Sequence, residues 1–154
     1  MISYEQSKKI LKKAIIKIKD ESIVSVNSLN RVTSSNIYSK INYPASDNAA
    51  FDGFAISSSD TKKISKKLPK EFKIIGSIAA GSKPFKKKIK KFDTVEIMTG
   101  GVLPKGFDTI IPIEQIIFYP NKTKKNSILI SKKISKNNHV RFKGSDYKKN
   151  ELVI

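Results

Sequence analysis

Asp47 and Asp52 stand in Asp47-Asn48-Ala49-Ala50-Phe51-Asp52-Gly53-Phe54-Ala55, a run without Lys inside a chain saturated with it. Carboxylates in such a setting are the oxygen ligands that a hard divalent cation takes. Asp-Gly between two Phe residues predicts a tight turn whose flanking rings pack inward and hold the carboxylate above a core. Read alone, the same residues also describe a hairpin turn that only reverses the chain, since Asp-Gly turns are common.

Three further positions carry possible chemistry. Met98-Thr99-Gly100-Gly101 follows a predicted strand. Backbone N–H groups and a hydroxyl left free at a strand tip would make an oxyanion cradle; a glycine turn capped by Thr is the ordinary alternative. In Val140-Arg141-Phe142-Lys143-Gly144-Ser145-Asp146, Arg141 could clamp an anion or pair with Asp146, and Asp146 could equally be an Asx-turn residue. Glu114 interrupts the apolar run around Ile113, where it either faces solvent or is a partly buried carboxylate needing a partner. His139 is the only His, so no His-based metal triad can form, and it is expected to be a solvent-exposed strand residue.

The elements that must position these residues are mostly β. The one clear helix runs from Ser3 to about Lys19. Ser3 and Gln6 form a capping-box pattern, and Ile10, Leu11, Ala14, Ile15 and Ile18 recur at helical spacing. A shorter helical or turn segment is expected near residues 28–34, with Asn30 in the left-handed region. Strands are predicted over 37–41, 72–78, 94–98, 109–112, 116–119 and 127–134, with a last one beginning at 151. The stretch at 127–134 should pair with its predecessor, while 60–70 and 85–91 read as basic surface loops. Short strands at turn-punctuated intervals suggest a small barrel or sandwich. The fold class is therefore mainly β (α+β), an N-terminal amphipathic helix followed by a small β-barrel or sandwich-like domain.

Composition narrows the function classes. With no Cys, thiolate metal sites, Cys nucleophiles and disulfides are excluded. No apolar run approaches the ~20 residues of a membrane span, and residues 1–13 lack a signal-peptide core, so a cytoplasmic location is expected. The net charge of +18 suggests polyanions. Yet only Arg31 and Arg141 are Arg, and the Lys pairs are spread from Lys8-Lys9 to Lys148-Lys149 rather than clustered. Base readers favour Arg for its bidentate fork, so specific nucleic-acid binding is not expected, only weak attraction at low salt.

The order of the blocks is more specific than any one of them. The run from Asp47 to Ala55, then Ile97-Met98-Thr99-Gly100, then Leu103-Pro104-Lys105-Gly106-Phe107-Asp108 with Glu114-Gln115, then Val140 to Asp146, resembles the molybdopterin molybdenumtransferases. This is the MoeA family, which includes the E domain of gephyrin. Its first block usually reads F-D-N-S-A-M-D-G-Y-A, its second I-M-T-G-A-x-x-P-x-G and its third N-x-R-x-x-G-E-D. Asn30-Arg31-Val32 with Ser35-Asn36-Ile37 is similar to the family's G-R-x-L-A-x-D-V segment, so the resemblance covers about residues 26–154. Ser46, Ala49, Phe51 and Phe54 depart from the pattern with little change of volume or turn geometry. Ser145 removes an acidic neighbour of Asp146 and with it one charge.

The resemblance implies that adenylated molybdopterin and molybdate are substrates, that AMP is released in a Mg²⁺-dependent step, and that molybdenum ends on the dithiolene sulfurs. It places Asp52 and Asp146 near the metal, Thr99 as a donor to the oxyanion, and Asp47, Asn48, Gly100, Glu114 and Arg141 toward substrate. It further implies a homodimer, or association with a separate pterin-binding half, because the family's site forms between subunits. The expected organisation is a helix and connecting segment over 1–42, a substrate- and metal-facing β domain over 43–146, and the start of a returning strand over 147–154. The family's α/β pterin-binding domain and C-terminal β domain are absent from this reading. Since the helix would pack on that α/β domain, its apolar stripe is expected to be loosely held. The competing readings are a scaffold or dimerisation remnant of the family, and a basic nucleic-acid-binding barrel. All three turns bearing Asp52, Thr99 and Asp146 are expected to face one pocket.

Overall fold

The computed structural model describes residues 1–14, 18–121 and 125–154. The chain divides into two units, residues 1–37 with Ile154, and residues 38–153.

In the first unit, helix α1 spans Tyr4–Lys13. The capping box forms as the sequence predicts: Gln6 N donates to Ser3 Oγ at 3.2 Å, and Ser3 N donates to Gln6 Oε1 at 2.9 Å. Glu5 in the first turn and Lys12 and Lys13 in the last complement the helix dipole. The helix is shorter than expected, closing at Ala14; Ile15 and Lys17 lie outside the described residues. None of its residues is buried, and Ile10 and Leu11 are 56% and 72% exposed. A short helix that buries nothing is held by its cap and local pairs alone, which limits its length. The second helical segment is a single 3₁₀ turn at Ser25–Asn27, earlier than predicted, and Asn30 adopts the expected positive φ of 63°.

The second unit is a curled, half-barrel sheet whose strands run in the order β5-β2-β4-β3-β7-β6, where β2 is Gly53–Ile56, β3 Lys70–Ile78, β4 Asp93–Ile97, β5 Thr109–Pro112, β6 Ile117–Pro120 and β7 Lys125–Ile130. A two-stranded ladder pairs β1 (Asn48–Ala49) with β8 (Val140–Arg141). The class is mainly β, as the patterning predicts. Most strands fall within a residue or two of their predicted places. Two do not. The expected strand over 37–41 is one bridge, Tyr38 to Leu152, and the last expected strand is the other half of that bridge. Strand β7 is shorter than 127–134 but pairs antiparallel with β6, as expected.

Strand β2 is the main correction, since its residues read as the far side of an Asp-Gly hairpin. Gly53-Phe54-Ala55-Ile56 is buried at every position. Phe54 and Ile56 join one core cluster with Phe72 and Ile128, while Ala55 joins Val95, Ile97 and Ile110 in another. A strand covered on both faces is apolar throughout and gives no alternating signal. β2 sits between β4 and β5, and Gly53 is where the backbones come closest: a Cβ there would lie 2.0 Å from Ile111 O. The glycine is thus needed for close approach to β5 rather than for a turn.

Polar groups inside the sheet are paired. Thr94 Oγ1 donates to Ala55 O at 2.9 Å. Thr61 Oγ1 donates to Ser58 O and accepts from Ile134 N, so the basic segment at 60–70 is anchored by a buried threonine and by Ile64. Among the described residues no buried side-chain polar atom lacks a partner. No helix of the described residues is long and apolar enough to cross a membrane.

The Gly53→Ala substitution is expected to destabilise the fold by about 3 kcal/mol, since the backbone of β5 would have to yield. A urea denaturation midpoint close to that of the unsubstituted chain would contradict this.

Candidate functional site

The register of the sheet sets the site. Gly53 pairs with Ile97 on β4 and with Pro112 on β5, so Asp52 leaves the sheet where β4 ends. Its carbonyl accepts from Ile113 N at 3.0 Å, tying the backbone to β5. Its carboxylate meets the chain two residues beyond Ile97. Asp52 Oδ1 accepts from both Thr99 N and Thr99 Oγ1, each at 2.6 Å. Those bonds, first from the hydroxyl and then from the backbone N–H, hold the Asp52 carboxyl below the usual carboxylate value. Oδ2 takes part in no hydrogen bond among the described residues, and Asp52 is exposed.

The free-donor cradle expected at residues 98–101 is not what forms. Thr99 N is held by Asp52, Gly100 N donates to Ala49 O at 2.9 Å, and Gly101 N donates to Met98 O at 2.8 Å. Gly100 has φ 79°, which the turn requires. Backbone donors beside other backbone acceptors pair with them rather than wait for a ligand. The turn therefore clamps Asp52 and the segment that carries it.

Asp146 is in a different setting. It forms an ion pair with Arg141, and Ser145 Oγ donates to its Oδ1 at 3.1 Å. These contacts, Arg141 foremost, hold its carboxyl below the usual range. Of the two roles open to Arg141, pairing with Asp146 is the one realised, and its guanidinium also lies over the Tyr43 ring, 5.7 Å from the centroid. Asp146 makes no hydrogen bond to Asp52 or Thr99 among the described residues. What joins the two settings is the β1–β8 ladder, in which Asn48 faces Arg141 and Ala49 faces Val140.

The remaining predicted residues fall around this frame. Asp47 Oδ1 accepts from Lys143 N at 2.8 Å, holding the β8 turn to the start of β1. Asn48, with its amide oriented to satisfy its neighbours, donates to Arg141 O and Ser46 O. Both are thus bracing residues. Glu114 lies in the 3₁₀ turn Ile113–Gln115 and is exposed, which decides between its two readings. His139 is half-buried in a turn with φ 56°, not an exposed strand residue. Its ring stands edge-on to Phe51, 5.0 Å between centroids, and its carbonyl accepts from Ala50 N. That contact was not foreseen, since nothing in either residue's local sequence points to the other.

Two of the clefts in this unit are lined by none of Asp52, Thr99 and Asp146; Asp52 is bonded to Thr99, and Asp146 to Arg141. Asp47 lines the larger cleft. Among the described residues no group of three or more His, Cys, Asp or Glu is gathered to hold a metal. Mg²⁺ is commonly held by one or two carboxylates with water and substrate phosphates completing its shell. The open Oδ2 of ionised Asp52 fits that mode, whereas both oxygens of Asp146 are occupied.

A family model described as the MoeA N-terminal region (domain I and II) matches residues 2–154. This chain belongs to the MoeA family. A molybdopterin molybdenumtransferase of Staphylococcus aureus is 34% identical over 127 residues, 82% of this chain and 29% of that protein. One from Haemophilus influenzae is 30% identical, covering all of this chain and 36% of its own length. The crystal structure of the molybdopterin biosynthesis MoeA protein from Pyrococcus horikoshii superimposes with a TM-score of 0.88 at 27% identity, over the whole of this chain and 39% of that one. The chain thus spans about a third of the length of these MoeA relatives, and the four blocks share descent with theirs rather than matching by chance.

Thr99→Val removes the hydroxyl donor to Asp52, so the Asp52 carboxyl should titrate closer to its ordinary value near 3.8. A depressed folded pKa gives stability that is present above the unfolded value and lost as pH falls through the folded one. The Thr99 variant should therefore carry a smaller Asp52 contribution above pH ~4, and should have lost it fully at a higher pH than the unsubstituted chain does. Carboxyl carbon NMR shifts that titrate identically in both proteins would refute the assignment.

Proposed function

We propose that this chain is the N-terminal part of a molybdopterin molybdenumtransferase, which inserts molybdenum from molybdate into adenylated molybdopterin and releases AMP. The observation that carries the reading is the Asp52–Thr99 pair. A carboxylate is fixed by two donors on one oxygen, kept ionised, and left open on the other oxygen at the exposed end of the sheet. The clamp by itself would also serve a scaffold; the exposed second oxygen, free for a cation, is what favours the catalytic reading.

In this reading Asp52 Oδ2 is the cation ligand, and Thr99 positions it rather than binding the oxyanion directly. Bound Mg²⁺ supplies neutralisation of the phosphoanhydride charge. Asp146 becomes a second ligand only when its pairing with Arg141 opens, which in turn frees Arg141 for an anion. Asp47 and Asn48 keep the β8 turn beside β1, and Gly100 shapes the clamp around Asp52. The chain works in a cytoplasmic pathway with a pterin-binding half, supplied either within a homodimer or as a separate polypeptide.

The test is AMP release and molybdenum insertion by this chain combined with a pterin-binding half, adenylated molybdopterin, molybdate and Mg²⁺. Asp52→Ala should leave the denaturation midpoint nearly unchanged, because an exposed carboxylate contributes little to stability. It should reduce both products to background. Undiminished AMP release by that variant would remove Asp52 from the mechanism.

A further inference from the structure

The larger cleft, about 510 Å³, does not follow from the Asp52–Thr99 pair. Its origin is topological. Strands β3 and β4 run parallel, so the chain must cross over between them through residues 79–92. This crossover contains no helix or strand. It starts with a tight turn in which Ser82 N donates to Ala79 O and Ala79 N donates to Ser82 Oγ, each at 3.1 Å. It is pinned again where Lys87 Nζ donates to Ile75 O at 2.7 Å. The opposite wall, Val102 to Lys105, is fixed by Leu103 N donating to Asp47 O at 2.9 Å.

Two glycines seat the apolar lining. Phe85 lies over Gly76, where an added Cβ would stand 2.9 Å from the ring, and Ile89 lies against Gly106. With Ile78 and Leu103 they give an apolar floor. Lys83, Lys87 and Lys105 line the same cleft against a single carboxylate, Asp47. Lys83 and Lys105 have no partner among the described residues. A volume of this size matches small-molecule sites. Cations beside a low-dielectric wall attract an anion more strongly than the same cations on an open surface.

We propose that this cleft binds an aromatic phosphate, a flat ring against Phe85, Ile78 and Leu103 with its phosphate between Lys83 and Lys105. Asp52 does not line this cleft, and the proposal stands or falls without the transferase reading.

The experiment titrates 1-naphthyl phosphate, and 1-naphthol as its uncharged counterpart, into the full chain carrying labelled Ile, Leu and Val methyl groups. Saturable NMR shifts are expected at Ile78, Ile89 and Leu103, with naphthol binding at least about fivefold more weakly. The double variant Lys83→Gln/Lys105→Gln should weaken the phosphate by about fivefold while leaving naphthol unchanged, the scale of two exposed ion pairs. Phe85→Ala should weaken both ligands. Shifts concentrated at Ile10, Leu11 and Ile18 would overturn the proposal, as would equal binding of the two compounds or an unaltered affinity in the lysine variant. Neither readout involves AMP release, so failure here is distinguishable from failure of the proposed function.

Discussion

The approach of β2 to β5 at Gly53 is the constraint from which the rest of the site follows. With no side chain at 53, the backbone of Ile111 can lie against it, and β2 takes its place between β4 and β5. That position puts Gly53 level with Ile97, and the registers of both neighbours are then fixed. Asp52, one residue earlier, emerges beside the turn that ends β4. Any side chain at 53 would push the strands apart and carry the carboxylate away from Thr99. The chemistry of Asp52 is therefore a consequence of a packing contact in the core.

The turn after β4 has a different purpose from the one its composition suggests. Thr and two Gly after a strand look like a nest waiting for an anion, but each N–H from 99 to 101 has found an acceptor within the protein. Two of those acceptors belong to the 47–52 segment: Asp52 itself and Ala49 O. The turn and the segment hold each other, and Leu103 N on Asp47 O extends the contact. The same segment is braced on its other side by β8, through Asn48, Ala49 and the carbonyl of His139. A carboxylate so supported loses little freedom when it meets a cation, which is the advantage of preorganisation. Asp146 and Arg141 by contrast satisfy each other, and their exposed ion pair can exchange for external partners at small cost.

The lysines illustrate how charge and place differ. Spread along the sequence, they look like solvated surface, and most of them are. Lys83 and Lys87 belong to the basic 79–92 crossover that the parallel pair β3–β4 requires, and they line one cleft together with Lys105 from beyond β4. Only the fold brings Lys105 beside them, with Asp47 as the one acid in the lining.

Local properties were legible in the chain itself. The Ser3–Gln6 cap, the left-handed Asn30, the strands at 72–78, 94–98 and 109–112, and the family of the four ordered blocks all follow from residue types at short spacing. Such features depend on neighbours within a few positions, and those are fixed by covalent geometry. The strand hidden in Gly53–Ile56, the contact of Phe51 with His139, and the two bonds from Thr99 to Asp52 were not legible. Each depends on which distant backbone lies alongside, at a register that a shift of one residue would reverse. Residue types alone place Asp52 just before a glycine that lies between two Phe residues, and Thr99 just after a strand. That the two meet depends on the folded sheet, because burial of β2 on both faces leaves one register in which its core side chains fit.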